Sequence, residues 1–249
     1  MAEDLPCFAA VTLGAALVGF GGFLWRAGLT TQPWYFLPAL ALTAACFDAA
    51  LGPLGQYFRA AWLGFSLVTA ALALPLTRLN ALSRMTNVDV VAHQLTARAG
   101  LEDFVVVSPW FCGISFARYY HGPAPWSTVP PLADHRFHRF DVVAAQLGKK
   151  EAIEPVLERM RATLQAGHYV WWVGQFDMPA PGRVPPGNLP LPPLEGSGWS
   201  QTPYTINWDD QVGSCLESHG GEFGLIKIEE SGDVNPTEEL RLARAGGWK

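Results

Sequence analysis

Charge is scarce in the first third of this sequence. Between Phe8 and Leu76 the charged side chains are Arg26, Asp48 and Arg59, whereas charged residues, proline and glycine occur at ordinary frequencies from Arg78 onward. Each charged side chain costs about 2.5–3.5 kcal/mol at the centre of a membrane helix on insertion scales, so such helices contain few of them. The low charge therefore argues against a soluble core and predicts a membrane region over residues 1–84.

The sequence also lacks the features of several common binding sites. Its net charge is −5 and it has no basic stripe, which argues against nucleic acid as a partner. No G-x-G-x-x-G motif follows the first predicted strand, and the Walker, H-E-x-x-H and G-x-S-x-G motifs do not occur. We therefore predict no cofactor, no metal site and no catalytic residue in this chain.

Cysteine is rare, with four residues at positions 7, 46, 112 and 215. Their spacing fits neither a zinc site nor a dense disulfide framework. A Cys112–Cys215 bridge is one interpretation. Buried free thiols are the other, and we favour it.

Three apolar runs account for the membrane region. They cover residues 8–25, 34–51 and 58–79, each close to the roughly 20 residues that cross a hydrocarbon core. Trp25 and Trp34 lie at run ends, as in an interfacial aromatic belt. A cleaved signal peptide is the alternative for the first run, but Glu3 and Asp4 precede it and two further runs follow. We therefore predict three transmembrane helices in contact with a lipid bilayer.

The remainder of the chain predicts a soluble α/β domain over residues 85–230, with a Pro/Gly-rich loop at 175–201 and a polar, frayed tail at 231–249. Because strands alternate with helices, we expect a Rossmann-like domain with a mostly parallel sheet. The predicted strands are 104–107, 126–129, 169–173 and 223–229, and the predicted helices are 87–99, 114–120, 140–147, 152–166 and 209–218.

The segment from Ser108 to Asp141 is the richest in chemistry, because it combines aromatic rings with arginine, histidine and aspartate. Loops at the carboxyl ends of parallel strands form ligand crevices, and arginine can bind phosphate through its planar fork. A structural role is the competing interpretation, with the rings in a core and the charges in ion pairs. The candidate ligand-binding residues are Trp110, Arg118, Tyr119, Tyr120, His121, Trp126, Asp134, Arg136 and His138.

Two further interpretations stay open. His135 and His138 are three residues apart and could share a metal ion with Asp134 or Asp141, although a surface salt-bridge network suits them better. Asp48 lies inside an apolar run, where an acid suggests function, but it is close enough to the run's end to reach the interface.

Four segments of the sequence resemble the C-terminal end of bacterial GT-C membrane glycosyltransferases, which include the family 39, protein-mannosyltransferase-like and aminoarabinose-transferase-like enzymes. They are TNVD at 86–89, VVVSPWFCGISFARYYHG at 105–122, PWSTVPPLADHRFHRFD at 125–141 and VWWVG at 170–174. The resemblance extends over about residues 34–175. It implies a membrane enzyme with many spans, a polyprenyl-phosphate-linked sugar donor and an extracytoplasmic α/β domain.

The chain departs from this family at its catalytic acid, which the family carries in the first external loop. The short loop 27–33 contains no Asp or Glu, so no catalytic residue is transferred. The resemblance therefore implies the C-terminal portion of a transferase, with the missing N-terminal membrane portion as a partner. It also implies a bacterial inner-membrane location with the domain in the periplasm. By the positive-inside rule, the distribution of arginines instead favours a cytoplasmic domain. Where the two disagree we follow the resemblance and predict a periplasmic domain. A membrane-anchored, non-catalytic binding or scaffold domain is the alternative.

Overall fold

The computed structural model describes residues 4–27, 33–51, 56–147, 149–176, 189, 201–229, 232–236 and 238–249. Contacts divide these residues into two units, one ending at Ala81 and the other beginning at Leu82. Most of the predicted loop 175–201 lies outside the described residues.

The first unit contains three apolar helices: α1 (Leu5–Ala27), α2 (Leu37–Leu51), which follows a 3-10 turn, and α3 (Gln56–Leu82). Two of them, over Cys7–Arg26 and Ala60–Leu79, are long and apolar enough to cross a membrane. Their side chains are largely exposed, which favours membrane association, since such surfaces are rare on soluble proteins. Helix α2 has 15 residues and is therefore about 22 Å long, shorter than a typical hydrocarbon core.

The second unit is an α/β domain with a five-stranded mixed sheet in the order β2-β1-β3-β5-β4. Strands β1, β2 and β3 are parallel, while β5 runs antiparallel to both β3 and β4. The predicted parallel arrangement is therefore confirmed for the core of the sheet only. The elements are α4 (Val88–Arg98), β1 (Phe104–Ser108), α5 (Cys112–Tyr119), β2 (Trp126–Thr128), α6 (Phe140–Gln146), α7 (Glu154–Gln165), β3 (Val170–Gly174), α8 (Thr202–His219), β4 (Gly220–Ile226) and β5 (Arg241–Trp248).

Helices cover both faces of the sheet. The face that carries Val105, Val107 and Trp171 packs against the apolar sides of α4 and α5. Because successive side chains in a strand point to opposite faces, Val106 and Trp172 face the other way, where α7 packs against β1, β3 and β5. All five residues of β1 and of β3 are buried, which explains why both strands read as continuous apolar runs.

The C-terminal segment differs from its prediction. We expected a polar, frayed tail over 231–249, but β5 is an interior strand that lies between β3 and the edge strand β4. Its backbone is hydrogen-bonded on both sides, and Leu242, Ala243 and Ala245 are buried. The prediction is wrong because small residues and two arginines conceal this strand, whose stability comes from long-range pairing rather than local hydrophobicity.

Candidate ligand-binding cavity

A cavity of about 270 Å³ lies where β1 and β3 end. Strand β1 connects through α5 to β2 on one side, and the chain then crosses to β3 on the other side of β1. Crevices at such switch points, at the carboxyl ends of parallel strands, are the usual ligand sites of α/β sheets. The described lining consists of Thr86, Val88, Phe111, Cys112, Ser115, His138, Gln175, Glu238 and Leu240.

A close approach of two strands positions Gln175 at the cavity. Ser108 and Gly174 are opposite each other in the β1–β3 register, and the Gln175 N–H donates to the Ser108 carbonyl at 3.1 Å. A Cβ atom at position 174 would lie 1.6 Å from that carbonyl oxygen, so only glycine fits there. The sequence VWWVG therefore ends in the one residue that lets β3 stay paired with β1 up to the edge of the cavity.

Ser108 also connects β1 to helix α8, because its hydroxyl donates to the carboxylate of Asp209. Burial is the main reason why the pKa of Asp209 rises from an ordinary 3.8 to about 7, and the Ser108 hydrogen bond opposes that rise. A carboxyl group with such a pKa can gain or lose a proton near neutrality. Among the carboxyl groups that the structure describes in the domain, Asp209 has the largest shift in pKa.

Cys112 lies at the first position of α5 and lines the cavity. Burial, followed by the nearby charges of Glu238 and Asp209, raises the pKa of its thiol to about 12. A thiol with this pKa is a poor nucleophile at neutral pH, because the thiolate is the reactive form. Cys112 therefore contributes shape and polarizability to the cavity. The four cysteines are free thiols, so no Cys112–Cys215 bridge is present.

Of the candidate residues from the sequence, Trp110 and His138 lie together. Trp110 is 1% exposed, its ring packs edge-on against His138 and Phe140, and its Nε1–H donates to Gln201 Oε1 at 2.9 Å. His138 is exposed and lines the cavity. Trp110 thus supports the cavity wall, and His138 is the one candidate whose side chain reaches the cavity.

Of the aromatic candidates, Tyr120 lies in the core, and the half-buried Trp126 packs against it. Tyr120 stacks on Phe116 with its ring centroid 4.8 Å away, and its hydroxyl donates to the Ala124 carbonyl. Trp126 packs edge-on against the same Phe116. The structural interpretation of these two rings therefore fits their surroundings.

The charged candidates lie away from the described cavity lining. Arg118, Tyr119 and His121 are exposed at the end of α5, with the Arg118 guanidinium 5.9 Å from the Tyr119 ring centroid. Asp134 and Arg136 form a two-pronged ion pair, which holds the pKa of Asp134 at about 2. The Arg136 guanidinium is therefore already engaged by a carboxylate two residues away in the chain.

The two histidines of the proposed metal site have different surroundings. His135 packs on Trp126 with a centroid distance of 4.4 Å, and burial lowers its pKa, whereas His138 contacts Trp110 and Phe140. Among the described residues, no group of three or more His, Cys, Asp or Glu side chains is arranged to hold a metal ion.

Several lining residues escaped the sequence analysis, among them Gln175 and Glu238, as did the supporting Asp209. Gln175 directly follows the VWWVG strand, so its position after a buried parallel strand was a usable signal. Glu238 and Asp209 carry no such signal, because each comes from a distant part of the chain that only the folded sheet brings to the cavity.

No protein family model, curated protein or solved structure matches this chain. The assignment of function therefore depends on the four sequence segments and on the geometry of the cavity.

Proposed function

We propose that this chain is the C-terminal portion of a bacterial membrane glycosyltransferase that uses a polyprenyl-phosphate-linked sugar. In this proposal the three apolar helices complete a larger membrane bundle, and the Rossmann-like α/β domain binds ligand without carrying the catalytic acid. The chain alone would not transfer sugar. Its partners are the lipid bilayer, the donor and the missing N-terminal membrane portion.

One observation carries the proposal: the segments that resemble the transferases meet at one cavity. Thr86 comes from the first segment, Phe111, Cys112 and Ser115 from the second, and His138 from the third. Gln175 directly follows the fourth segment. Crevices at the carboxyl ends of parallel strands are the usual ligand sites of α/β sheets, so this convergence supports a binding role for the four segments.

The module proposal predicts a partner that supplies the chemistry. We expect an in-frame or neighbouring reading frame upstream of the Met1 codon, encoding many membrane spans and an acidic first external loop. Co-expressed with this chain, that protein should co-purify with it, and sugar transfer from a polyprenyl-phosphate donor should require both. If no such reading frame exists, the module proposal is wrong.

The proposed topology has a separate test. We expect the domain outside the cytoplasm, in the periplasm of a bacterium with an inner membrane. Alkaline phosphatase fused after Lys249 should then be active, and the same fusion after Leu51 should be inactive, because three spans separate the domain from the N-terminus and only two precede the second loop. Phosphatase activity of the Leu51 fusion alone would place the domain in the cytoplasm.

A membrane-anchored binding or scaffold domain is the second candidate. Two contacts favour it: Asp134 pairs with Arg136, and Tyr120 lies in the core. These contacts give structural roles to residues that the sequence had predicted to bind a ligand. This candidate predicts that the chain acts without an upstream partner.

A further inference from the structure

The cavity lining combines apolar and polar groups. Val88, Phe111 and Leu240 provide the apolar surface. The polar groups comprise two hydroxyls, an amide, an imidazole and a carboxylate, from Thr86, Ser115, Gln175, His138 and Glu238. A sugar ring presents the same combination, with C–H faces beside a rim of hydroxyls, and such mixed lining is typical of small-ligand sites.

The described lining includes a carboxylate and neither Lys nor Arg. Glu238 and Asp209 both act on the Cys112 thiol in the direction expected of nearby negative charge. Two arginines that are close in sequence to lining residues have partners, since Arg84 pairs with Asp89 and Arg241 donates to the Phe176 carbonyl at 2.9 Å. An anionic ligand would thus meet like charge without a compensating guanidinium.

The first amides of the two helices that begin at the cavity are already engaged. At the start of α5, the Cys112 and Gly113 N–H groups donate to the Pro109 and Trp110 carbonyls, both at 3.0 Å. At the start of α4, the Val88 N–H donates to Thr86 Oγ1 at 3.2 Å. Phosphate binding at helix termini needs such amides to be unengaged, and the first ones here are occupied.

The volume of the cavity limits the size of the ligand that it can hold. The volume of about 270 Å³ is slightly smaller than that of pockets for drug-sized molecules, which measure about 300–1,000 Å³. One six-membered ring with its substituents suits such a space, whereas a disaccharide or a nucleotide does not.

We propose that this cavity binds a single sugar ring, neutral or amine-bearing, and rejects the phosphorylated form of the same sugar. The inference deepens the proposed function and rests on it for the choice of a sugar among small polyols. In this proposal Glu238 accepts hydrogen bonds from hydroxyl or ammonium groups of the sugar, and an apolar face of the ring lies against Phe111. With a polyprenyl-phosphate donor, the phosphate would remain outside the cavity.

Ligand-observed saturation-transfer NMR on the full chain, in a detergent without a sugar headgroup, tests this proposal. The probes are methyl glucoside, methyl mannoside, methyl galactoside, glucosamine and glucose 6-phosphate. We expect saturable binding of at least one methyl glycoside and of glucosamine, and much weaker binding of the phosphate. Competition by polyprenyl-phosphate-glucose in the same micelles would identify a lipid-linked source, and its absence a free sugar.

Two cavity variants and a matched control sharpen the test. Glu238→Gln should weaken glucosamine binding about tenfold, the loss expected for one charge-assisted hydrogen bond, and should reduce the discrimination against glucose 6-phosphate. Thr86→Val should weaken the methyl glycoside. Glu158→Gln, at an exposed carboxylate on α7, should leave all affinities unchanged.

The proposal is overturned if glucose 6-phosphate binds as tightly as the neutral sugars, if none of the sugars binds saturably, or if the cavity variants behave like the Glu158 control. These readouts need no upstream partner. Failure of sugar binding would therefore leave the module proposal standing, and a missing upstream reading frame would not affect the binding result.

Discussion

The hydroxyl of Ser108, at the end of β1, donates a hydrogen bond to the carboxylate of Asp209 on α8. The two residues are 101 positions apart in the chain. This bond connects the carboxyl edge of the sheet to a helix on one of its faces, directly beside the cavity. It also holds an acid whose buried position raises its pKa to about 7.

Replacing Asp209 with asparagine should increase the stability of the domain by an amount that depends on pH. The folded pKa of Asp209 is about 7, above its ordinary 3.8, so between these values the unfolded chain loses a proton that the folded chain keeps. The free energy of unfolding therefore falls as pH rises through this window, and the full penalty is present above about pH 7. Asp209→Asn should stabilise the domain by roughly 1–3 kcal/mol near pH 8 and have little effect near pH 4.

Thermal unfolding of the full chain in detergent at both pH values measures this difference. Glu158→Gln, at an exposed site on α7, is the control for the removal of a carboxylate. An Asp209→Asn gain that is equal at both pH values would contradict the assigned cause, because an ionisation penalty disappears when the acid is protonated in both states.

Gly174→Ala should disrupt the sheet. The added methyl group would lie 1.6 Å from the Ser108 carbonyl oxygen, which is a backbone atom and cannot rotate away. We expect a loss of at least about 3 kcal/mol, at the upper end of overpacking penalties, measured by chemical denaturation. Gly224→Ala on β4 is the matched control, because nothing lies within 4 Å of its added methyl group. Equal stability of the two variants would contradict the close approach of β1 and β3.

Asn87 secures the segment that leads into β5. Its side-chain amide donates to the Leu240 carbonyl at 3.0 Å, and its Oδ1 accepts from the Leu240 N–H at 2.7 Å. Asn87→Ala would leave both buried backbone groups without partners, at a cost of about 2–4 kcal/mol. Denaturant unfolding should detect this loss, whereas His93→Ala on the exposed side of α4 should change stability little. A small effect of Asn87→Ala would show that β5 is held by sheet pairing alone.

The bond from Trp110 Nε1 to Gln201 Oε1 joins the cavity wall to the start of α8. A double-mutant cycle with Trp110→Phe and Gln201→Ala isolates its contribution, because phenylalanine removes the Nε1–H donor and the cycle subtracts the packing cost of the smaller ring. We expect a coupling energy of about 0.5–1.5 kcal/mol in unfolding experiments. Additive effects of the two substitutions would mean that solvent replaces this bond without loss.

Local patterns in the sequence predicted most elements of the domain. The apolar, β-branched run at 104–107 and the VWWVG segment became the buried parallel strands β1 and β3. Amphipathic spacing located α4 and α7. Burial on both faces makes such strands uniformly apolar, and burial on one face makes helices periodic, so the signal for each is contained in neighbouring residues.

The candidate site was less accessible from sequence. The many aromatic and charged residues between Ser108 and Asp141 indicated a ligand site there. They include both core rings such as Tyr120 and surface ion pairs such as Asp134–Arg136. Composition does not separate these roles, since each depends on which element covers the side chain.

By itself the sequence determined the contrast between apolar helices and an α/β domain, and the parallel core of the sheet, because these follow from the cost of burying charge and from hydrophobic periodicity. Tertiary structure alone decided that residues 241–248 form an interior strand, that Asp209 bonds to Ser108 at the end of β1, and that Glu238 lines the cavity. Those choices depend on hydrogen bonds and packing between residues far apart in the chain, for which the local sequence carries no signal.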